Sequence, residues 1–427
     1  MKRTLAILLT MCLLIGAAPL AGAEDTALRV LDGWGAADAY REAYPDRAVE
    51  TIEMFDENGG SLVESILTGG EWDAACFDTD AFSLEELDRL GLAYALSANA
   101  DTAAVGARLY PSIRAGCSAN GKLAALPAGY IGTRANGYRL LGMDYRGDEE
   151  ADGMALREQL GFTADDQPTT FAEVCALGLR YMALSREQRK GTAFAFADGA
   201  SQGFYLLYNM VLTYQTEATD AGGAIDFDTP AFRAALTAAD PLLAAAFAKD
   251  PKRTYDKKGN LYWVLCDDIG VMQSYGAFPS VTQEGVIPAH MTVVVVNPNS
   301  PRLNEALDYA LIANCRNETE FAPAWYADVD YDALLAQSYD ESIAAQIEQG
   351  EDQSVIDRLQ ALKAAGDDTY FMPRRTMEHY AAEIMPKLVF RRWRSFAIDD
   401  AIFDYLDGKT DADGFVDALN RSAASKD

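Results

Sequence analysis

Short apolar runs alternate with amphipathic stretches over the first hundred residues, and this pattern sets the expected layout. Leu28 to Leu31 predicts a strand that ends in Asp32-Gly33-Trp34-Gly35. Val49 to Phe55 predicts a second strand after the turn at Tyr44-Pro45-Asp46, and Ser61 to Leu67 a helix with Leu62, Ile66 and Leu67 on one face. Ala74 to Phe77 is a buried-strand run between Asp73 and Asp78. A helix comes next, because Ser83 and Glu86 have capping-box spacing and Leu84, Leu87 and Leu90 continue the apolar face. Strands alternating with helices predict an α/β unit with a largely parallel sheet. Ligands of such sheets bind beyond the carboxyl ends of the strands, which draws attention to Trp34, Asp78 and Asp80.

The stretch Gly121 to Tyr138, GKLAALPAGYIGTRANGY, breaks this rhythm. Its apolar run ends at Pro127, which has no N–H to give a ladder, and glycines recur after it at Gly129, Gly132 and Gly137. Such a stretch is either a hinge strand leaving one compact unit for another or a loop between strands of one sheet. Beyond it, Thr170 and Glu173 form a second capping box, and Phe194 to Phe196 predicts a short strand. The polar loop Asp198 to Gly203 leads into a helix that opens with Phe204, Tyr205 and Tyr208. Phe227-Asp228-Thr229-Pro230 marks a sharp helix start. Leu261 to Leu265, Ile269 to Met272 and Met291 to Val296 predict strands, and Leu303 to Ala313 a helix packed on the first unit. Tyr331 to Tyr339, Ile343 to Ala364 and Met377 to Tyr405 all predict helix.

Composition narrows the function. Lys2 and Arg3, the apolar Leu5 to Ile15 and the small residues up to Ala21-Gly22-Ala23 predict an export signal cleaved before Glu24. Cys12 raises the alternative of a lipid anchor, but it follows Met11 inside the apolar core rather than a small residue, so plain cleavage is the expectation. The formal charge of −29 becomes −31 once Lys2 and Arg3 leave, which disfavours nucleic acid and anionic lipid as partners. The five remaining cysteines, Cys76, Cys117, Cys175, Cys266 and Cys315, are too widely spaced for a zinc motif and odd in number. Most are expected as buried thiols, with one disulfide left open.

The chain has two histidines, His290 and His379, and lacks G-x-S-x-G, P-loop, G-x-G-x-x-G and H-E-x-x-H patterns, so neither a catalytic triad, a cofactor nor a metal is expected. His290 precedes a buried strand and is expected to be structural. Asp328-x-Asp330-x-Asp332 lacks the glycine and glutamate of a calcium loop. Paired carboxylates make a glycoside hydrolase the strongest enzyme alternative.

Five pieces, in order, resemble family 1 of the extracellular solute-binding proteins, the sugar-binding subunits of ABC importers. They are Tyr44 to Glu50 with Gly69 to Asp73; Tyr110 to Ile113 with Gly121 to Pro127; Phe227 to Phe232; Asn299 to Tyr309; and Ile402 to Leu419. The acidic block Asp328 to Asp368 departs from the pattern as an insertion, and the lipid-attachment motif usual in Gram-positive members is missing. The resemblance implies a periplasmic-binding-protein-like α/β fold: two lobes joined by a hinge, with the ligand in the cleft between them. The expected boundaries are a signal at 1–23, an N-terminal lobe of 24–128 and 272–318, and a C-terminal lobe of 129–271 and 319–427. It further implies a secreted monomer that takes a small-molecule sugar and delivers it to the ABC permease transmembrane subunits. The ligand positions carried over are Trp34, Asp78, Asp80, Tyr130, Gln202, Phe204, Ser274, Tyr275 and Trp393, with Phe396 as the rival of Trp393. Flat rings stack on a sugar's C–H face while carboxylates and amides pair with its hydroxyls. The same fold binding a peptide or polyamine is the alternative ligand class.

Overall fold

The computed structural model describes residues 27–32, 35–56, 58–133, 159–161, 169–189, 192–193, 200–219, 225–249, 262–263, 280–282, 285–315, 324–350, 352–368, 374–390 and 398–424. The expected export signal with Cys12, the strands expected at 194–196 and 269–272, and Cys266 lie outside them.

A six-stranded mixed sheet forms the centre of the first core. Its strands are β1 (Leu28–Asp32), β2 (Val49–Ile52), β3 (Ala74–Asp78), β4 (Ala125–Thr133), β5 (Ile287–Val296) and β6 (Leu388–Phe390). β1 pairs in parallel with β2 and β3, as the β/α alternation predicts. β5 runs antiparallel to β3, placing Thr292 opposite Asp78 and Val296 opposite Ala74. On its other side β5 pairs antiparallel with β4, and its first residues pair in parallel with β6. The run Met291 to Val296 is buried at every position. An unbroken β-branched run is what a strand covered on both faces requires, and each fully buried valine contributes about 1.5–3 kcal/mol.

Helices cover this sheet. α1 (Ala36–Ala43), α2 (Val63–Gly69) and α3 (Leu84–Arg89) connect the first strands, and the Ser83 hydroxyl caps α3 by accepting the Glu86 N–H at 3.3 Å, while the Glu86 carboxylate pairs with Arg89 instead of completing the expected capping box. α4 (Ala100–Arg108) and α5 (Pro111–Gly116) precede β4.

A second core is helical. It joins α6 (Phe171–Ala183), α7 (Ala200–Thr219) and α8 (Pro230–Lys249), all earlier in the chain than β5, to α12 (Asp399–Leu406) and α13 (Ala412–Ala424) at the C-terminal end. Phe227 and Phe232 pack with Tyr214, and the Phe227 N–H donates to Asn420 Oδ1 at 2.8 Å. The Phe-Asp-Thr-Pro stretch thus starts α8 and pins the C-terminal helix. α7 also lies against β5.

The remaining segments depart in part from the expected division. The helix expected over 303–313 is α9 (Leu303–Cys315), and it packs on the first core as expected. Trp325, Tyr326, Tyr380, Ile384, Met385 and Leu388 are buried in the first core too, although the expected boundaries place 319 onward with the second. The expected helix over 377–405 is interrupted: Met385–Lys387 is a single 3-10 turn carrying Pro386, and Leu388–Phe390 then adds β6 to the sheet. The acidic block folds as two helices, α10 (Tyr331–Glu348) and α11 (Gln353–Ala365), with a small cluster of their own around Tyr331, Leu335 and Tyr339. Cys76, Cys117 and Cys175 are buried and Cys315 is exposed. Among the described residues no helix is long and apolar enough to cross a membrane.

Candidate functional site

β4 and β5 lie side by side in the sheet, and their pairing is not uniform. Pro127 stands opposite Val293 and Ile131 opposite Met291, so Ala128, Gly129 and Tyr130 together oppose Thr292 alone. This is a bulge, and it disrupts the ladder over three backbone positions. Side chains take up carbonyls there: Asn314 Nδ2 donates to Pro127 O at 2.8 Å, and Trp325 Nε1 donates to Gly129 O at 3.2 Å. The Tyr326 hydroxyl donates to Asn314 Oδ1 at 2.7 Å and holds the amide in place. Both carbonyls are thereby paired, as a dry interior demands. Arg134 and the rest of the expected hinge stretch lie outside the described residues.

Asp78, the last residue of β3, lies beside the bulge. Its Oδ1 accepts the Asp80 N–H at 2.8 Å, and its Oδ2 is 2.8 Å from His290 Nδ1. Thr79 extends the ladder by one step, with its N–H on Met291 O at 3.0 Å and its hydroxyl accepting the Met291 N–H at 3.1 Å. Residues opposite one another in an antiparallel pair share a face, and so do residues two apart along a strand. Asp78, Thr292 and His290 therefore project from the same face. Opposite His290 stands Gly132, where a Cβ would come within 2.1 Å of His290 Nε2. Only a residue without a side chain lets the imidazole lie across β4 here. The ring of Tyr130 meets the imidazole edge-on, with centroids 6.2 Å apart.

The structure thus brings three of the sequence-derived positions, Asp78, Asp80 and Tyr130, into one group. Half-buried Phe204 belongs to the second core, where its ring stacks on those of Tyr208 and Phe403 at 5.7 and 4.9 Å. The backbone of Gln202 lies in α7. Trp34, Ser274, Tyr275 and Trp393, with Phe396, lie outside the described residues.

His290, expected from the sequence to be structural, stands in the same group. A signal was present: in the stretch His290-Met291-Thr292-Val293, the polar residues alternate within an otherwise apolar strand, which puts both on one face.

Together the group offers two carboxylates, an imidazole and an aromatic ring at the end of a strand. Carboxylates and imidazole accept or donate hydrogen bonds to hydroxyls, and they also ligate cations.

No family model matches the chain, and no curated protein does. Solved structures do. The cyclic alpha-maltosyl-1,6-maltose binding protein from Arthrobacter globiformis superposes with a TM-score of 0.53 at 15% identity, covering 93% of this chain and 97% of that one. A sugar transporter from Rhizobium etli in an open conformation gives 0.53 at 14% identity, covering 94% and 100%. The sugar-binding protein MalE from Xanthomonas citri gives 0.53 at 13%, covering 93% and 96%. The likeness runs almost end to end in each case. It shows that the chain has the periplasmic-binding-protein-like α/β fold.

Proposed function

We propose that this chain is an extracytoplasmic carbohydrate receptor of an ABC importer: it binds an oligosaccharide by hinge closure, leaves it uncut and passes it to permease transmembrane subunits. The observation that carries the reading is the group Asp78, Asp80 and Tyr130 beside the bulged pair of strands β4 and β5, at the carboxyl end of β3. That is where ligands of open α/β sheets bind. The sugar-binding names of the structural neighbours support the same reading.

In this proposal the two cores are the two lobes, and residues 125–133 and 287–296 are the hinge strands. The bulge gives the hinge strand fewer ladder bonds to break as the lobes move, while Asn314 and Trp325 keep its carbonyls paired. Asp78 and Asp80 accept hydrogen bonds from vicinal hydroxyls of the sugar. Tyr130 offers ring surface to its C–H face. Trp34, Gln202, Phe204, Ser274, Tyr275 and Trp393 complete the proposed ligand set from the two sides of the cleft. A chain of this kind works as a secreted monomer.

A thermal-shift screen over neutral oligosaccharides, with spermidine and short peptides alongside, tests the reading. At least one saccharide is expected to stabilise the protein, by about 2.7 kcal/mol at a hundred times its Kd. The same saccharide should be recovered intact by chromatography. Stabilisation by spermidine alone would make the paired carboxylates a cation site and replace the sugar reading with the polyamine one. Release of shorter products would make the protein a hydrolase.

A further inference from the structure

Asp78, Asp80 and His290 each place one ligand-type atom within 4.8 Å of the other two. From this we infer that the three form a binding site for a single divalent transition-metal ion of the zinc class. The inference does not depend on the saccharide reading.

Asp78 and His290 are each aimed by their own surroundings. The Asp80 N–H engages Asp78 Oδ1, which leaves Oδ2 directed at His290. The imidazole is laid across Gly132 and braced by the edge of Tyr130, so that Nδ1 faces Asp78 at 2.8 Å. Ligands held at about 2.0–2.2 Å from a tetrahedral ion are about 3.3 Å from one another. Asp78 and His290 are already near that separation, and a carboxylate oxygen of Asp80 lies within 4.8 Å of both. Fixing the orientation of the ligands by outer contacts is what gives metal sites their affinity.

A separate observation points to an occupant. The Thr292 hydroxyl is fully buried, stands opposite Asp78 on the face shared with His290, and has no hydrogen-bond partner. A buried hydroxyl without a partner is unfavourable.

The donor set fixes the class of ion. Magnesium and calcium take oxygen ligands, whereas one imidazole with two carboxylates suits zinc and its first-row neighbours. Three protein ligands leave a tetrahedral ion one open position.

The test uses the mature chain without a histidine tag, stripped with EDTA and titrated calorimetrically with zinc, magnesium and calcium chlorides. Wild type is expected to bind one zinc per chain, with magnesium and calcium far weaker. Asp80→Asn and His290→Gln are each expected to weaken zinc binding roughly tenfold or more, with unchanged circular dichroism. Asp80 is exposed, so Asp80→Asn keeps the test valid if His290→Gln perturbs folding. Absence of saturable zinc binding, zinc binding unaltered in Asp80→Asn, or equal affinity for calcium would each overturn the inference. Running the saccharide screen in EDTA separates the two proposals, because each can then fail alone.

Discussion

Gly132 has no side chain, and the space a methyl group would need is filled by the His290 ring 2.1 Å away. Gly132→Ala is expected to push the imidazole off Asp78 and cost about 1–3 kcal/mol in urea denaturation. Gly132→Ala with His290→Ala should recover part of that loss, since the imidazole is the nearer obstruction and Tyr130 Cε1, 2.8 Å from the added Cβ, remains; a double-mutant cycle reads the coupling directly. Glu217 is governed by burial instead. Its carboxylate accepts from the Ser280 hydroxyl at 2.5 Å, from the Thr282 N–H at 2.8 Å and from the Val281 N–H at 3.2 Å. Burial raises its pKa above the usual 4.5, while these hydrogen bonds pull the other way. A raised folded-state pKa gives stability that is full below the unfolded value and lost as pH climbs through the folded one. The stability of wild type relative to Glu217→Gln is therefore expected to be greater near pH 4.5 than at about pH 8. Equal differences at the two pH values would show that Glu217 titrates as it does in the unfolded chain.

Among the strands and helices, the bulge in β4 is supported by two side chains from outside the strand. Trp325→Phe keeps much of the ring's bulk but strands the Gly129 carbonyl, so about 1–2 kcal/mol of stability should be lost. Amide exchange at residues 128–131 should quicken with it; unchanged exchange would mean the indole does not support the bulge. The N-terminal cap of α6 is a local counterpart. The Thr170 hydroxyl accepts the Glu173 N–H at 3.2 Å while Glu173 Oε2 accepts the Thr170 N–H at 3.1 Å. Features of this local kind were legible in the sequence. The capping box at Thr170, the Ser83 cap, the strands at Leu28, Val49 and Ala74 and the helix start at Pro230 depend on residues close to one another in the chain. The illegible features depend on long-range pairing. Leu388–Phe390 reads as a helix continuation and becomes a strand because β5 offers it an edge. His290 looked structural because its partner, Asp78, is 212 residues away in the chain. The candidate site was legible only where the end of a predicted strand marks it, at Asp78 and Asp80, and where Tyr130 follows the proline.

Taken whole, the chain builds two separate hydrophobic cores, and α7 of the second rests on β5. If the cores close as lobes in the way proposed, a saturating saccharide should reduce the radius of gyration measured by X-ray scattering. No change with a ligand that binds tightly would remove hinge closure from the mechanism. Translation imposes its own order on this arrangement. β5 lies between β3 on one side and β4 on the other, yet it is made after both, at residues 287–296. Until it emerges from the ribosome, the half of the protein that was translated first has a gap through its middle. A chain running from residue 24 to residue 286 should accordingly lack the near-ultraviolet dichroism of packed aromatics. Contacts so distant in sequence also form slowly. If the chain is exported unfolded, as its first residues lead one to expect, such a delay helps, because the piece that locks it shut leaves the ribosome late.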